Sequence, residues 1–204
     1  MESLVPANGN SFKHACFISY KHPPKEALGP NFYQDFVRAL RERIEYYLQT
    51  EIRTYLDEDA DPGTSYPVEL SQRLCHSVCL VAVLTPEYFD STWCKAEWDA
   101  MIELEKKRLG KTGLIIPVVL RGDVKQWESA HKRKPFDLRV DVTSQLMGVK
   151  RSKMVIEIAQ LIANLVKNMK DPCSDCHGFH LVVEQGPDVL VSPSSYKDPN
   201  MLAG

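Results

Sequence analysis

The side chains best suited to chemistry lie in residues 91–98, which read Ser-Thr-Trp-Cys-Lys-Ala-Glu-Trp. Trp93 and Glu97 are four residues apart, so they share one face if the segment is helical. An aromatic ring and a carboxylate would then lie together just past the carboxyl end of a strand. That position is where open α/β sheets bind ligands. The alternative is that Trp93 packs into the core and Glu97 is a solvated helix residue.

Composition limits the classes of protein to consider. The chain has 204 residues, 44% of them hydrophobic and 25% charged, which suits one globular domain with or without an appendage. A net charge of -2 gives no support for nucleic-acid binding. The sequence shows no signal peptide and no run of 18 apolar residues. We therefore expect a soluble cytoplasmic protein without a membrane partner, whose six cysteines are thiols.

Apolar runs and helical periodicity alternate along the chain. Strands are predicted at residues 14–20, 52–56, 78–84, 114–120 and 136–142, and helices begin near residues 31, 65, 91 and 152. Alternating strands and helices predict a parallel sheet with helices on both faces. Right-handed crossovers favour a flavodoxin-like α/β fold with an open sheet of about five strands in the order 2-1-3-4-5.

Local signals mark several helix ends. Asn31, Ser91 and Ser152 are candidate N-caps, and the basic residues and glycine of segment 106–113 end the third helix. The second helix is expected to turn Val68, Leu70 and Leu74 inward. The basic cluster 132–134 is interpreted as a solvated loop.

In such a sheet the loops after strands 1, 2 and 3 converge at one edge. They carry residues 19–21, 57–66 and 91–97, respectively. The first strand ends in Ser19 and Tyr20 without clustered acids, which argues against a phosphate-accepting receiver domain. The acidic segment 57–61 is interpreted as a solvated loop, and no metal site is predicted.

Three motifs at these loops resemble the TIR (Toll/interleukin-1 receptor) domain family. They are Phe17-Ile18-Ser19-Tyr20, then Asp57 followed by Pro62-Gly63 and Tyr66, and finally Ser91-x-Trp93-Cys94-x-x-Glu97. The last motif resembles the signature of the NAD-cleaving members. The resemblance implies a TIR-like domain at residues 13–170, preceded by a leader at 1–12 and followed by a tail or small appended element at 171–204.

The resemblance also implies roles for individual residues. Glu97 corresponds to the catalytic glutamate, and NAD+ is a substrate rather than a cofactor. The positions that correspond to ligand-binding residues are Ser19, Tyr20, Lys21, Asp57, Tyr66 and Trp93. Lys21 stands where some members carry arginine, and a lysine cannot make the same bidentate contact with phosphate.

One glutamate is enough for cleavage of the nicotinamide–ribose bond. The leaving group is cationic and departs neutral, so no general acid is required, and a carboxylate can stabilise the positive charge that develops on the ribose. It can also take a proton from the nucleophile, whose identity decides between hydrolysis and cyclisation. The implied enzyme is a NAD+ glycohydrolase or ADP-ribosyl cyclase.

The resemblance further implies a biological setting and partners. Prokaryotic members act in anti-phage immunity, make an ADP-ribose-type signal for a separate effector protein, and assemble with other TIR protomers. Two alternatives remain open: a non-enzymatic TIR–TIR interaction module, and a nucleoside deoxyribosyltransferase-like enzyme.

The tail contains four side chains that zinc can bind, Cys173, Cys176, His177 and His180. Ligands this close in sequence rarely complete a tetrahedron alone, so a tail without metal is expected.

Overall fold

A parallel sheet of five strands organises the chain, in the order β2-β1-β3-β4-β5. The computed structural model describes residues 12–21, 32–49, 53–56, 66–123, 133–139, 147–169, 176 and 179–183. Its elements are β1 (His14–Tyr20), α1 (Phe32–Leu48), β2 (Arg53–Leu56), α2 (Tyr66–Cys75), β3 (Ser77–Leu84), α3 (Thr92–Leu109), β4 (Ile115–Val119), β5 (Phe136–Asp137) and α4 (Met147–Asn168). The predicted fold class and strand order are confirmed.

Burial explains why the central strands are apolar on both sides. Every residue of β3 is buried, as are the first six of the seven residues of β1. Helix α1 packs against α4, while α2 and α3 contact each other and also reach β1 and β3. Right-handed crossovers place these two pairs of helices on opposite faces of the sheet.

The two ends of α3 follow the predicted capping signals. The Ser91 Oγ accepts a hydrogen bond from the Cys94 N–H at 3.4 Å, so Ser91 is the N-cap. Gly110 ends the helix in the left-handed conformation at φ 64°, where its N–H donates to the Lys106 carbonyl. Ser91 therefore fixes the start of α3, just beyond the carboxyl end of β3, and Gly110 fixes its end.

Two predicted helix features are wrong. Ser152 lies inside α4, which begins at Met147, because no residue between them breaks a helix and the single Gly148 costs only about 1 kcal/mol. Val68 is 44% exposed, whereas Leu70 and Leu74 are buried. Leu70 and Leu74 are four residues apart and lie on one face of the helix. Val68 is two residues before Leu70 and therefore lies on a different face.

Other predictions fall partly outside the described residues. Strand β5 is confirmed only at Phe136 and Asp137. The prediction is wrong at Leu138 and Arg139, which follow the strand, and residues 140–142 lie outside the described residues. The predicted N-cap Asn31 and the predicted start of the second helix near residue 65 also lie outside. None of the helices in the described ranges is both long and apolar enough to cross a membrane.

A buried carboxylate fastens the end of α3 to the start of β4. The Glu105 Oε1 accepts hydrogen bonds from the backbone N–H groups of Gly113, Leu114 and Ile115 at 2.6–3.0 Å. Arg133 adds a bidentate contact, Nη1 to Oε1 at 2.8 Å and Nη2 to Oε2 at 2.6 Å. The Arg133 side chain is only 10% exposed, so the interpretation of 132–134 as a solvated loop is wrong at this residue.

Replacing this carboxylate tests its structural role. Burial raises the pKa of Glu105, but Arg133 and the backbone N–H groups lower it by more. The pKa of Glu105 therefore lies below its ordinary value. We expect Glu105→Gln to lower the free energy of unfolding at pH 7 by about 3 kcal/mol, because Arg133 loses its buried partner. The difference should begin to shrink below about pH 4, the ordinary range of a glutamate carboxyl group, and should be lost only as the pH falls through the lowered pKa of the folded protein.

Urea unfolding at pH 7 and at acid pH measures both effects. Glu103→Gln makes the same chemical change on an exposed position of the same helix and should stay within about 0.5 kcal/mol of wild type. Equal stability of the two variants at pH 7 would contradict a structural role for Glu105.

The expectation that all six cysteines are thiols is wrong, because Cys75 and Cys176 form a disulfide. Cys75 ends α2, and Cys176 belongs to the segment after α4. In that segment Leu181 is buried and its N–H donates to the Ser71 Oγ at 2.8 Å. The described part of the tail is therefore docked on α2.

The disulfide closes a loop of 101 residues, so it should stabilise the domain. We expect Cys176→Ser to lower the free energy of unfolding by about 2–5 kcal/mol, because the unfolded chain gains conformational freedom. Urea unfolding with and without a reductant measures this, and the reductant should have no further effect on the variant. A non-reducing peptide map without a 75–176 linked peptide would contradict the pairing.

Candidate functional site

The predicted chemical residue Glu97 lies in the second turn of α3 and points toward the carboxyl end of β1. Its side chain is buried, with the residue 4% exposed, so the alternative of a solvated helix residue is wrong. The Ser19 hydroxyl, near the end of β1, donates to the Glu97 Oε2 at 2.5 Å. Strand β1 and helix α3 thus meet through a hydroxyl–carboxylate hydrogen bond.

A second hydroxyl extends this contact. Tyr88 lies in the turn between β3 and α3, is fully buried, and its Oη is 2.7 Å from the Ser19 Oγ. Burial raises the pKa of Tyr88 well above its usual range, and the negative charge of Glu97 adds to the shift. Tyr88 is therefore a neutral phenol at physiological pH and can donate to Ser19.

The Cys94 thiol also belongs to this cluster but is poorly suited to act as a nucleophile. Burial raises the pKa of Cys94 to about 12, with a further increase from the charge of Glu97. Hydrogen bonding to Ser91 and Ser19 and the positive charge of Lys21 oppose the shift without reversing it. At neutral pH, Cys94 is a neutral side chain packed beside the carboxylate.

The two tryptophans of α3 have different surroundings. Trp98 is fully buried, and its ring packs edge-to-face against Tyr88 at 6.3 Å and Phe89 at 5.3 Å between centroids. The Arg133 guanidinium lies 5.6 Å from the centre of the Trp98 ring. Trp93 is only half-buried and packs against the edge of the core. Trp98 is therefore structural, while Trp93 keeps a surface that a ligand can contact.

The sequence that contains this site matches a known family. Residues 17–149, more than half of the chain, match the profile of the TIR domain. The chain belongs to the TIR-domain family. The recognition made from the three loop motifs is thereby confirmed.

Comparison with solved structures also finds TIR domains. The TIR domains of the activated Roq1 resistosome, which directly recognises the pathogen effector XopQ, align over 76% of this chain and 84% of theirs. The identity is 19% and the TM-score 0.39. No curated protein sequence matches the chain.

The structure of this TIR domain places the predicted site residues as follows. Ser19 and Glu97 are in direct contact, and Tyr20, half-buried, ends β1 beside them. Lys21 is exposed immediately after β1. Tyr66 is the first residue of α2, and Asp57 lies outside the described residues, so their proposed contact with a ligand stays a prediction.

Tyr88 was missed by the sequence analysis. Its turn, 86–89, follows a predicted strand of the same sheet edge, which is a weak signal that any side chain there can reach the site. The contact with Ser19 joins residues 69 positions apart and has no local signature.

The ranges that the structure describes contain no group of three or more His, Cys, Asp or Glu side chains able to hold a metal ion. The acidic segment 57–61, Cys173 and His177 lie outside those ranges. Cys176 is bonded to Cys75, so its sulfur is not a free thiolate for zinc, and His180 is exposed.

The state of Cys94 can be tested by alkylation. With a pKa of about 12, only about one thiol in ten thousand is ionised at pH 8, and its burial blocks access as well. We expect iodoacetamide to leave Cys94 unmodified in the native protein and to modify it fully in denaturant. Peptide mass spectrometry reads both states, and rapid native modification would contradict the arrangement of the cluster.

Proposed function

We propose that this TIR domain cleaves the nicotinamide–ribose bond of NAD+, as a NAD+ nucleosidase or an ADP-ribosyl cyclase. The observation that supports this most directly is the buried Glu97 carboxylate at the carboxyl end of β1, bound by the Ser19 hydroxyl. The carboxyl edge of a parallel sheet beside its switch point is where such folds bind ligands. Strand β1 has β2 on one side and β3 on the other, so the strand order reverses at β1. The carboxyl end of β1, where Glu97 lies, is therefore the switch point of this sheet.

The chemistry fits a single carboxylate. Nicotinamide leaves as a neutral molecule, so the reaction needs stabilisation of a cationic ribose and no general acid. A buried carboxylate interacts with such a charge more strongly than one in water, because the surrounding dielectric constant is low. In this mechanism Glu97 faces the ribose, stabilises its positive charge and accepts a proton from the nucleophile.

The neighbouring residues suit the other parts of NAD+. The half-buried Trp93 ring is a flat surface for nicotinamide that also excludes water. Lys21 is an exposed cation at the end of β1 and suits the diphosphate as a point charge. Ser19 and Tyr20 lie under the ligand, and Asp57 and Tyr66 are assigned to the nucleotide on the family resemblance alone.

The wider role follows from the same reaction. Water at C1′ gives linear ADP-ribose, and a nucleophile within the substrate gives a cyclic product. We propose that this product is a cytoplasmic signal in prokaryotic anti-phage defence, sensed by a separate effector protein. Other TIR protomers of the same chain are the proposed assembly partners.

Nicotinamide release from NAD+ tests the proposal. We expect Glu97→Gln to lower kcat/KM at least a hundredfold, because the amide keeps the shape of the side chain but not its charge. Glu103→Gln on the exposed side of α3 is the matched control and should retain wild-type activity. The assay is run at low and high protein concentration, since assembly can complete the site.

The same experiment separates the alternatives. The mass of the co-product distinguishes hydrolysis from cyclisation. Base release from a deoxynucleoside, with NAD+ left intact, would favour a deoxyribosyltransferase. Equal nicotinamide release by wild type and Glu97→Gln would remove Glu97 from the mechanism. No release at a concentration where the protein self-associates would favour the interaction module.

A further inference from the structure

We propose that Tyr88 is a positioning residue that holds Ser19, and through it Glu97, in the orientation the reaction needs. The expected effect on catalysis rests on the proposed NAD+ cleavage. The positioning itself is inferred from the geometry of Tyr88, Ser19 and Glu97. Tyr88 touches neither the reacting atoms nor the solvent, since it is fully buried behind Ser19.

The direction of the hydrogen bonds is fixed by the number of protons available. An ionised carboxylate only accepts, so the single Ser19 proton is given to the Glu97 Oε2 at 2.5 Å. The Ser19 oxygen then has only lone pairs to offer Tyr88, whose Oη lies 2.7 Å away. Tyr88 therefore donates to Ser19, and the chain of donors ends at the carboxylate.

The Tyr88 ring is held rigidly, which is what a positioning role requires. Its backbone N–H donates to the Thr85 carbonyl at 3.1 Å, and its carbonyl accepts from the Ser91 N–H at 3.2 Å. The ring packs against Phe89 at 4.9 Å and Trp98 at 6.3 Å. These contacts hold the ring in place with its hydroxyl 2.7 Å from the Ser19 Oγ.

The charged and titratable groups around the carboxylate come from three elements. Strand β1 contributes Ser19, with Lys21 directly after it; the turn after β3 contributes Tyr88, and α3 contributes Cys94 and the exposed Asp99. Tyr88 and Cys94 stay protonated at neutral pH because burial raises the pKa of each. Hydrogen bonds to the charged form of a carboxyl group favour that form, so the two linked hydroxyls favour ionised Glu97.

Tyr88→Phe tests the inference, because it removes the hydroxyl and keeps the ring contacts. We expect kcat for NAD+ cleavage to fall about tenfold, the equivalent of one hydrogen bond, while KM changes less than about twofold. The acid limb of the pH profile should move to higher pH, because the carboxylate loses part of its support. Tyr46→Phe is the matched control: Tyr46 is 70% exposed on α1 and its hydroxyl should not matter.

A second readout keeps the inference separate from the proposed enzyme. The infrared carbonyl band of a protonated carboxyl group, taken as the difference between wild type and Glu97→Gln, reports protonation of Glu97 without any substrate. In Tyr88→Phe this band should appear at a higher pH than in wild type. If Tyr88→Phe proves unstable, Ser19→Ala breaks the same chain one step later and should move the band in the same direction.

The outcomes divide cleanly. A displaced band in a protein that leaves NAD+ intact supports the positioning role and overturns the enzyme. Cleavage by wild type with an unmoved band and pH profile in Tyr88→Phe overturns the positioning role and leaves the enzyme standing. A loss of kcat that is equal in Tyr46→Phe also overturns it, since the effect would not come from the buried hydroxyl.

Discussion

The buried carboxylate of Glu97 fixes how helix α3 meets the carboxyl edge of the sheet. A carboxylate removed from water must be hydrogen-bonded, or its burial costs several kcal/mol. Ser19, 78 residues earlier, supplies the hydrogen bond, so the first turns of α3 must lie against the carboxyl end of β1. Because β1 pairs with both β2 and β3, this contact ties the helix to the middle of the sheet.

A second buried carboxylate on the same helix shows what a purely structural solution looks like. Glu105 is bound by the Arg133 guanidinium and three backbone N–H groups, so its charge is balanced where it lies. Glu97 lies at the carboxyl edge of the sheet, and its Oε2 accepts a hydrogen bond from the neutral hydroxyl of Ser19. Between the two, Trp98 contacts both Arg133 and Tyr88, so the packing that supports one carboxylate also supports the other.

Predictions from sequence succeeded where the signal was local. The apolar runs and their alternation with helices were sufficient for the strand order, and Ser91 and Gly110 marked the ends of α3 because capping involves only neighbouring residues. Predictions failed where the partner was distant. Arg133 looked solvated because Glu105 is 28 residues away, and the pairing of Cys75 with a tail cysteine spans 101 residues. Periodicity gives no information about such contacts.

The spacing of Trp93 and Glu97 placed them on one face, but burial separates their roles. A helix that lies on a sheet turns only a narrow part of its surface inward, and four residues correspond to slightly more than one turn. Glu97 is consequently buried, whereas Trp93 is half-buried at the margin of the core. An interaction scaffold has no need of the charge, since replacing a buried ionic group by an apolar one is often neutral or stabilising. A carboxylate kept at a sheet edge, beside a half-buried aromatic ring, is therefore the feature on which the proposed cleavage of NAD+ depends.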